Sequence, residues 1–333
     1  MRDEMKKVPR LRFRGFQEDW ELCKFERIFE KVKSYSLSRE VETNEFTGMK
    51  YIHYGDIHTK KADKVSENSN IPNIIKKNFA LLEIGDLILT DASEDYKGIA
   101  TPAVIRENTS FDIVAGLHTI ALRPKNIDPM FLYYLIKAPT FRKYGYKVGT
   151  GMKVFGISSS KVLDFTTYIP KNDETKLVSS FLEKIDYALD LHQRKLDQLK
   201  ELKKAYLQLM FPKKDETVPQ VRFANFEENW ELCKLENIIE KQIKGKAKVE
   251  NLCNGSVEYL DANRLNGGKP IYTKALPDVS ERDIIILWDG SKAGKVYYGF
   301  KGVLGSTLKA YQLKECANSQ FIYQQLLDNQ NNI

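Results

Sequence analysis

From Asn172 to Met210 the chain runs 39 residues without a glycine or a proline, and its apolar side chains recur in steps of three and four. They are Leu177, Phe181, Ile185, Ala188, Leu196, Leu199, Leu202, Tyr206 and Leu209, with His192 in the one longer gap. That period predicts a single helix with one apolar stripe. Pro170 precedes it, Phe211-Pro212 ends it, and Asp173 or Thr175 is placed to cap its start. At 1.5 Å per residue such a helix is roughly 55–60 Å long. An isolated helix with a stripe of this kind needs a second helix against it, so these nine apolar residues are expected to pair with a partner. The competing reading is a core helix of one globular domain. Upstream, Lys50–Ile57, Asp86–Thr90, Ala103–Ile105 and His118–Arg123 read as strands, and Pro129–Lys137 as a helix with Asp128 as N-cap.

The pattern at the N-terminus returns 210 positions later. Val8–Lys31 and Val218–Lys241 align without a gap and agree at 15 of 24 positions, including an unchanged Trp-Glu-Leu-Cys-Lys at 20–24 and 230–234. The spacing is far too long for a solenoid, whose repeats run to roughly 20–50 residues, so a whole domain is duplicated. Weaker echoes continue the alignment. Glu83–Leu89 resembles Glu281–Ile286, Asp91-Ala92-Ser93 resembles Asp289-Gly290-Ser291, and Phe131–Ile136 resembles Phe321–Leu326. Framework positions agree while the stretches between them diverge, as expected of one fold reading two ligands. With Phe131 on Phe321, Ile333 falls opposite Lys143, so the second copy is expected to be incomplete.

Composition narrows the function only slightly. The 333 residues are 42% hydrophobic and 29% charged, ordinary values for a globular chain of about two domains. A net charge of +7 is compatible with an acidic partner such as nucleic acid. Cys23, Cys233, Cys253 and Cys316 form no CxxC pair, which argues against a zinc site; the repeat-equivalent Cys23 and Cys233 are expected to be small buried hydrophobes. His53, His58, His118 and His192 show no metal-ligand spacing, and His53 and His58 read as strand or loop residues. No dinucleotide fingerprint, phosphate-binding loop or Asn-Pro-Pro-Tyr-type methyltransferase signature is found, and Asp91 and Ser93 read as turn residues. With no signal peptide and no long apolar run, a reduced cytoplasmic location and no membrane contact are expected.

Three features carry a resemblance to a known family. Ile169-Pro170 leads into the long helix with its Phe181–Asp186 and Gln193–Lys204 stretches, which closes on Leu209-Met210-Phe211-Pro212. Val-Pro-x-x-Arg-Phe with a downstream Trp occurs twice. The loop Gly149-Thr150-Gly151-Met152-Lys153 precedes Ile157-Ser158. With these the chain resembles the specificity subunits of type I restriction-modification systems over essentially its whole length. The resemblance implies an α+β architecture of two similar mixed α/β target-recognition domains joined by a long coiled-coil-type helix. The expected divisions are 1–170, 171–212 and 213–333, the last incomplete.

It also implies a non-catalytic subunit that reads a split sequence on double-stranded DNA and docks two methyltransferase subunits, with restriction and motor subunits joining them. S-adenosylmethionine, ATP and Mg2+ would belong to those partners, with no cofactor or metal in this chain. The rival reading is a regulatory or structural remnant that binds methyltransferase subunits or self-associates through the unpaired helix without reading DNA.

DNA contacts are expected from loops mixing basic, aromatic and amide side chains. In the first domain these are Lys33, Ser34 and Tyr35; Tyr96 and Lys97; and Arg142, Lys143, Tyr146, Lys147 and Lys153 around Gly149 and Gly151, whose missing side chains would let backbone approach the duplex. In the second domain the counterparts are Arg264, Lys269, Lys292 and Lys295. For each cation a solvated surface charge is the competing reading.

Overall fold

The computed structural model describes residues 8–151, 154–213, 215–248, 255–290 and 292–328. It divides into two compact units, Met1–Asp190 and Leu191–Ile333, with the division inside the helix Asn172–Met210. The sequence fixes that helix through its unbroken three-and-four period, and the observed bounds coincide with the predicted ones. Among the described residues no helix is long and apolar enough to cross a membrane.

The first unit is built on a five-stranded sheet in the order Phe29–Val32, Thr119–Pro124, Leu87–Thr90, Pro102–Ile105, Lys64–Val65. Leu87–Thr90 is buried on both faces, which is why it reads as a continuous apolar run rather than an alternation. Helix Pro129–Lys137 packs Phe131, Leu132, Tyr133 and Ile136 into a core with Phe25, Leu87, Leu89 and Phe141 on one side of the sheet. On the other side Ile88, Ala103 and Ile105 meet Ile52, Ile57 and Ile113. A four-stranded sheet in the order Asp112–Ala115, Met49–Ile52, Asn73–Ile74, Glu42–Thr43 covers that side. A two-stranded pair closes the unit: Glu21–Lys24 runs antiparallel to Thr166–Ile169, the strand that feeds the long helix.

The second unit repeats the frame. Ile239–Lys244, Leu308–Leu313, Ile284–Leu287 and Val296–Tyr297 form a sheet with the same order as the first four strands above. Val257–Leu260 pairs parallel with Val303–Leu304, as Met49–Ile52 pairs with Asp112–Ala115. Even the polar joints recur. Buried Asp86 accepts the Glu83 amide hydrogen at 2.8 Å, and buried Asp283 accepts that of Ser280 at 2.7 Å. Asp128 caps Pro129–Lys137 through the Phe131 amide, and Asn318 caps Ser319–Asp328 through the Phe321 amide.

Three expectations are corrected. The strand read as Lys50–Ile57 ends at Ile52. His53 then caps a helix, Tyr54–His58: its Nδ1 accepts the Gly55 amide hydrogen while its own amide donates to Asp56. His53 is therefore a non-helical cap residue, in keeping with a loop position, whereas His58 is a helix residue, not strand or loop. Cys233 is exposed whereas Cys23 is half-buried, so the two do not share a buried role; Cys253 lies outside the described residues. Beside these, the Phe13 ring meets Phe181 of the apolar stripe edge to face at 5.8 Å within the first unit.

Candidate nucleic-acid interface

The first unit gathers its predicted loop residues around one small pairing. Ala92–Ser93 runs antiparallel to Phe155–Gly156, so the polar turn after Leu87–Thr90 lies beside the loop that follows helix Pro139–Val148. The exposed Tyr96 ring lies on Phe155 at 3.8 Å between centroids. Arg142 ties the arrangement together: its guanidinium donates to the Lys97 carbonyl at 2.5 Å and the Ala100 carbonyl at 3.2 Å, and it sits over the Tyr146 ring. Lys97, Lys143, Tyr146 and Lys147 project around it into solvent. Three of these four are exposed cations, the kind of group that neutralises phosphates.

The two loop glycines have a reason internal to the chain. Gly151 has φ +129° and a side chain there would strike the Val154 carbonyl. A side chain on Gly149 would meet Ile99 at 2.8 Å and the Gly145 carbonyl at 3.0 Å. Both are needed to close the loop before any ligand arrives. Lys153 lies outside the described residues.

The earlier cluster is more deeply engaged. Tyr35 is half-buried against Phe79 at 4.7 Å, and its hydroxyl accepts the Ala80 amide hydrogen. Lys33 is exposed, with its ammonium 4.9 Å from the Tyr35 ring centre, and Ser34 is half-buried. In the second unit Arg264 is ion-paired with Glu258, and Lys295 reaches the Asn266 side-chain oxygen and the Tyr297 ring. Lys269 and Lys292 are exposed.

Two groupings escaped the sequence. Tyr54 is ringed by His53 at 4.5 Å, His118 at 5.3 Å and His58 at 5.8 Å, and His118 Nδ1 lies 3.0 Å from the Asp91 carboxylate beside the polar turn. Burial, aided by the nearby Arg39, holds the His53 pKa below its ordinary 6.5. In the second unit the half-exposed Trp288 carries Lys244 at 4.8 Å and Lys309 at 5.0 Å over its ring. Lys244 and Lys309 are opposite residues on paired strands, so only the sheet register brings them to one indole. Trp288 directly precedes Asp289, the counterpart of Asp91, which places this basic aromatic cluster where the first unit carries its polar turn.

On the long helix two faces separate. One docks onto the first unit through polar groups: Glu174 takes a two-pronged bond from Arg12 at 2.7 and 2.8 Å, Thr175 and Ser179 are buried, and Asp186 accepts from Lys64 and Tyr134 at 2.7 Å. Burial raises the Asp186 pKa, but Lys64 and Tyr134 outweigh it and hold the carboxyl below the usual range. The other face is the predicted stripe. Leu177, Phe181, Ile185, Ala188, Leu196, Leu199, Leu202 and Tyr206 are all exposed and only Leu209 is half-buried.

Known proteins resemble this chain in sequence and in fold. Residues 17–201 match the family described as type I restriction modification DNA specificity domain. The type I restriction enzyme MjaVIII specificity subunit of Methanocaldococcus jannaschii is 34% identical over 109 residues, 30% of this chain and 25% of that protein. The match thus spans about a quarter of that relative's length. Among solved structures, the S subunit of a type I restriction-modification system from M. genitalium superposes with a TM-score of 0.60 at 15% identity, over 99% of this chain and 81% of that one. A chain from a type I R-M system described in terms of complex assembly and conformational transition gives 0.55 at 13% identity, over 94% and 80%. At these identities the likeness is one of fold.

Proposed function

The chain belongs to the type I restriction modification DNA specificity domain family, and from that premise we propose that it reads a two-part sequence on double-stranded DNA for enzymes that it does not itself contain. The observation that carries this reading is the division of labour within the duplicated frame. Strand order, the buried Asp86 and Asp283 joints and the Asp128 and Asn318 caps are held constant, while the loops they support carry different chemistry. A constant frame with divergent loops is how one fold reads two different half-sites. Lys97, Lys143 and Lys147 neutralise phosphates and fix register, while Tyr96, Tyr146 and, in the second unit, Trp288 face base and sugar edges.

The long helix is the spacer. Its 39 residues correspond to about 58 Å of rod, comparable to roughly 15–17 base pairs of duplex at ~3.4 Å each. Its exposed stripe is the docking surface for two methyltransferase subunits or for the same helix of a second copy. S-adenosylmethionine, ATP and Mg2+ enter with the methyltransferase and restriction subunits. This chain alone, incubated with DNA, Mg2+ and S-adenosylmethionine, is expected to give no turnover. The reading is tested by selecting duplexes bound by the purified chain from a randomised library. Enrichment of a motif that changes when loops 91–98 and 142–151 are exchanged supports it. Recovery of sequence-independent binding alone would favour the remnant that binds partners without reading DNA.

A further inference from the structure

The first unit stitches several of its loops together at one end. The Tyr35 amide donates to the Ala115 carbonyl at 2.9 Å, that of Leu117 to Leu37 at 3.2 Å, that of Tyr54 to Leu117 at 3.2 Å, that of Asp91 to His118 at 3.1 Å and that of Ile157 to Asp91 at 2.9 Å. The segments leaving Phe29–Val32, Met49–Ile52, Leu87–Thr90 and Phe155–Gly156 thus meet on or beside the turn 116–118, which joins Asp112–Ala115 to Thr119–Pro124. Two of the predicted DNA-contact clusters, Lys33–Tyr35 and Tyr96-Lys97, lie on these segments.

Within that turn Gly116 is buried, Leu117 is half-buried and His118 is exposed. The His118 ring is nevertheless held on two sides. Its Nδ1 lies 3.0 Å from the Asp91 carboxylate, and Tyr54 meets it edge to face at 5.3 Å. A carboxylate accepts, so Nδ1 donates, and in a neutral imidazole Nε2 is then an acceptor. Among the described residues Nε2 has no hydrogen-bond partner. The two side chains are 47% and 36% exposed, so the pair contributes little to stability, and it stands open to a ligand. The second unit carries other chemistry at this place. Counted from the buried Asp86 and Asp283 joints, Asp91 and Trp288 stand at the same position in the frame, one residue before the Asp289 of the sequence echo. The backbone bond recurs there, from the Trp288 amide to the Thr307 carbonyl at 3.1 Å. Backbone geometry is kept while Asp91 and His118 give way to Trp288 and Thr307, as expected of positions that tell two half-sites apart.

Resting on the reading of the first unit as a DNA reader, we propose that His118 is a specificity-determining residue whose Nε2 accepts from the amino group of an adenine or a cytosine, and that Asp91 is the residue that positions its ring. Among the groups a duplex displays in the major groove, only adenine N6 and cytosine N4 can donate to such an acceptor. The Asp91 carboxylate at the other ring nitrogen, with the exposed Glu94 on the same segment, makes this a poor place for a phosphate and a good one for a donor. Lys97, Lys143 and Lys147 then hold the backbone of the duplex, and His118 reads a base.

The test is selection of duplexes from a randomised library by the full chain with its methyltransferase subunits, read as base preference at each position. The unaltered chain is expected to yield a two-part motif; a chain that yields none would remove the DNA-reading account and the His118 contact together. His118→Gly deletes the ring and suits the φ of +55° at this position, so the turn survives. It should relax the preference at one position of one half-site about tenfold and leave the other positions unchanged. Asp91→Ala should weaken preference at that same position, and the double variant should be no weaker there than His118→Gly alone. A cognate duplex whose adenine or cytosine at that position lacks its amino group should bind the unaltered chain about tenfold more weakly and His118→Gly no more weakly than the intact duplex does. A motif retained in full by His118→Gly would overturn the contact while the DNA-reading account stands. So would an equal loss of affinity for every sequence, the mark of a phosphate contact, or an equal cost of removing the amino group in both proteins. Relaxation by Asp91→Ala at a different position would make that carboxylate a reader itself and overturn its positioning role.

Discussion

His53 caps its helix with an unprotonated ring nitrogen, and this makes a single residue sensitive to pH. Because burial and Arg39 depress its pKa, the unfolded chain binds more protons than the folded one just below pH 6.5. The His53 contribution is therefore complete above that value and is lost as pH falls through the lower folded-state pKa. Thermal unfolding of the first unit should show a loss of stability between pH 7 and pH 5 that is reduced in His53→Asn, whose side-chain oxygen still accepts the Gly55 amide hydrogen. Equal slopes in both proteins would dismiss the cap. His53→Ala should cost about 1 kcal/mol at neutral pH. At the candidate interface, the residues divide by what already holds them. Lys143 and Lys147 are exposed, so each change to Ala should weaken DNA binding for all sequences and reduce the slope of log affinity against log salt by about one. Arg142 instead holds the Lys97 and Ala100 carbonyls, so Arg142→Ala should raise amide exchange across 96–100 as well as weaken DNA binding. Unchanged exchange there would return Arg142 to the direct contacts.

At the scale of elements, the long helix was legible end to end because period and the absence of Gly and Pro both speak for it. Its docked face was not, since Glu174, Thr175, Ser179 and Asp186 are polar and a hydrophobicity period is blind to them. The stripe that the period did reveal faces solvent. Leu199→Lys should therefore leave the melting temperature within about a degree, because a surface substitution changes stability little, while lowering self-association in sedimentation. A large drop in melting temperature would mean that the stripe is packed within the chain. The strand overrun at 53–57 has a local cause: past Ile52 the His53 and Asp56 side chains bond backbone amides and turn the chain into a helix. Repeat-equivalent strands were found where sequence echoes survive, as at Leu87–Thr90 and Ile284–Leu287. The Lys244, Trp288 and Lys309 cluster was invisible because sheet register, not spacing, assembles it.

For the whole molecule, duplication supplies two units with one architecture, the proposed readers, and the helix between their sequences is the proposed ruler. The frame needs only buried strands, caps and aspartate joints, which two diverged copies can keep while their loops change. On the proposed reading, the spacing of half-sites depends on helix length rather than on either set of loops. The most direct measurement is methylation profiling of cells that express this chain with its methyltransferase, alongside a variant carrying two extra helical turns after Leu199. The account predicts a new two-part modified motif, with the same half-sites separated by a longer gap in the variant. No new motif, or a gap that stays fixed when the helix grows, would contradict it.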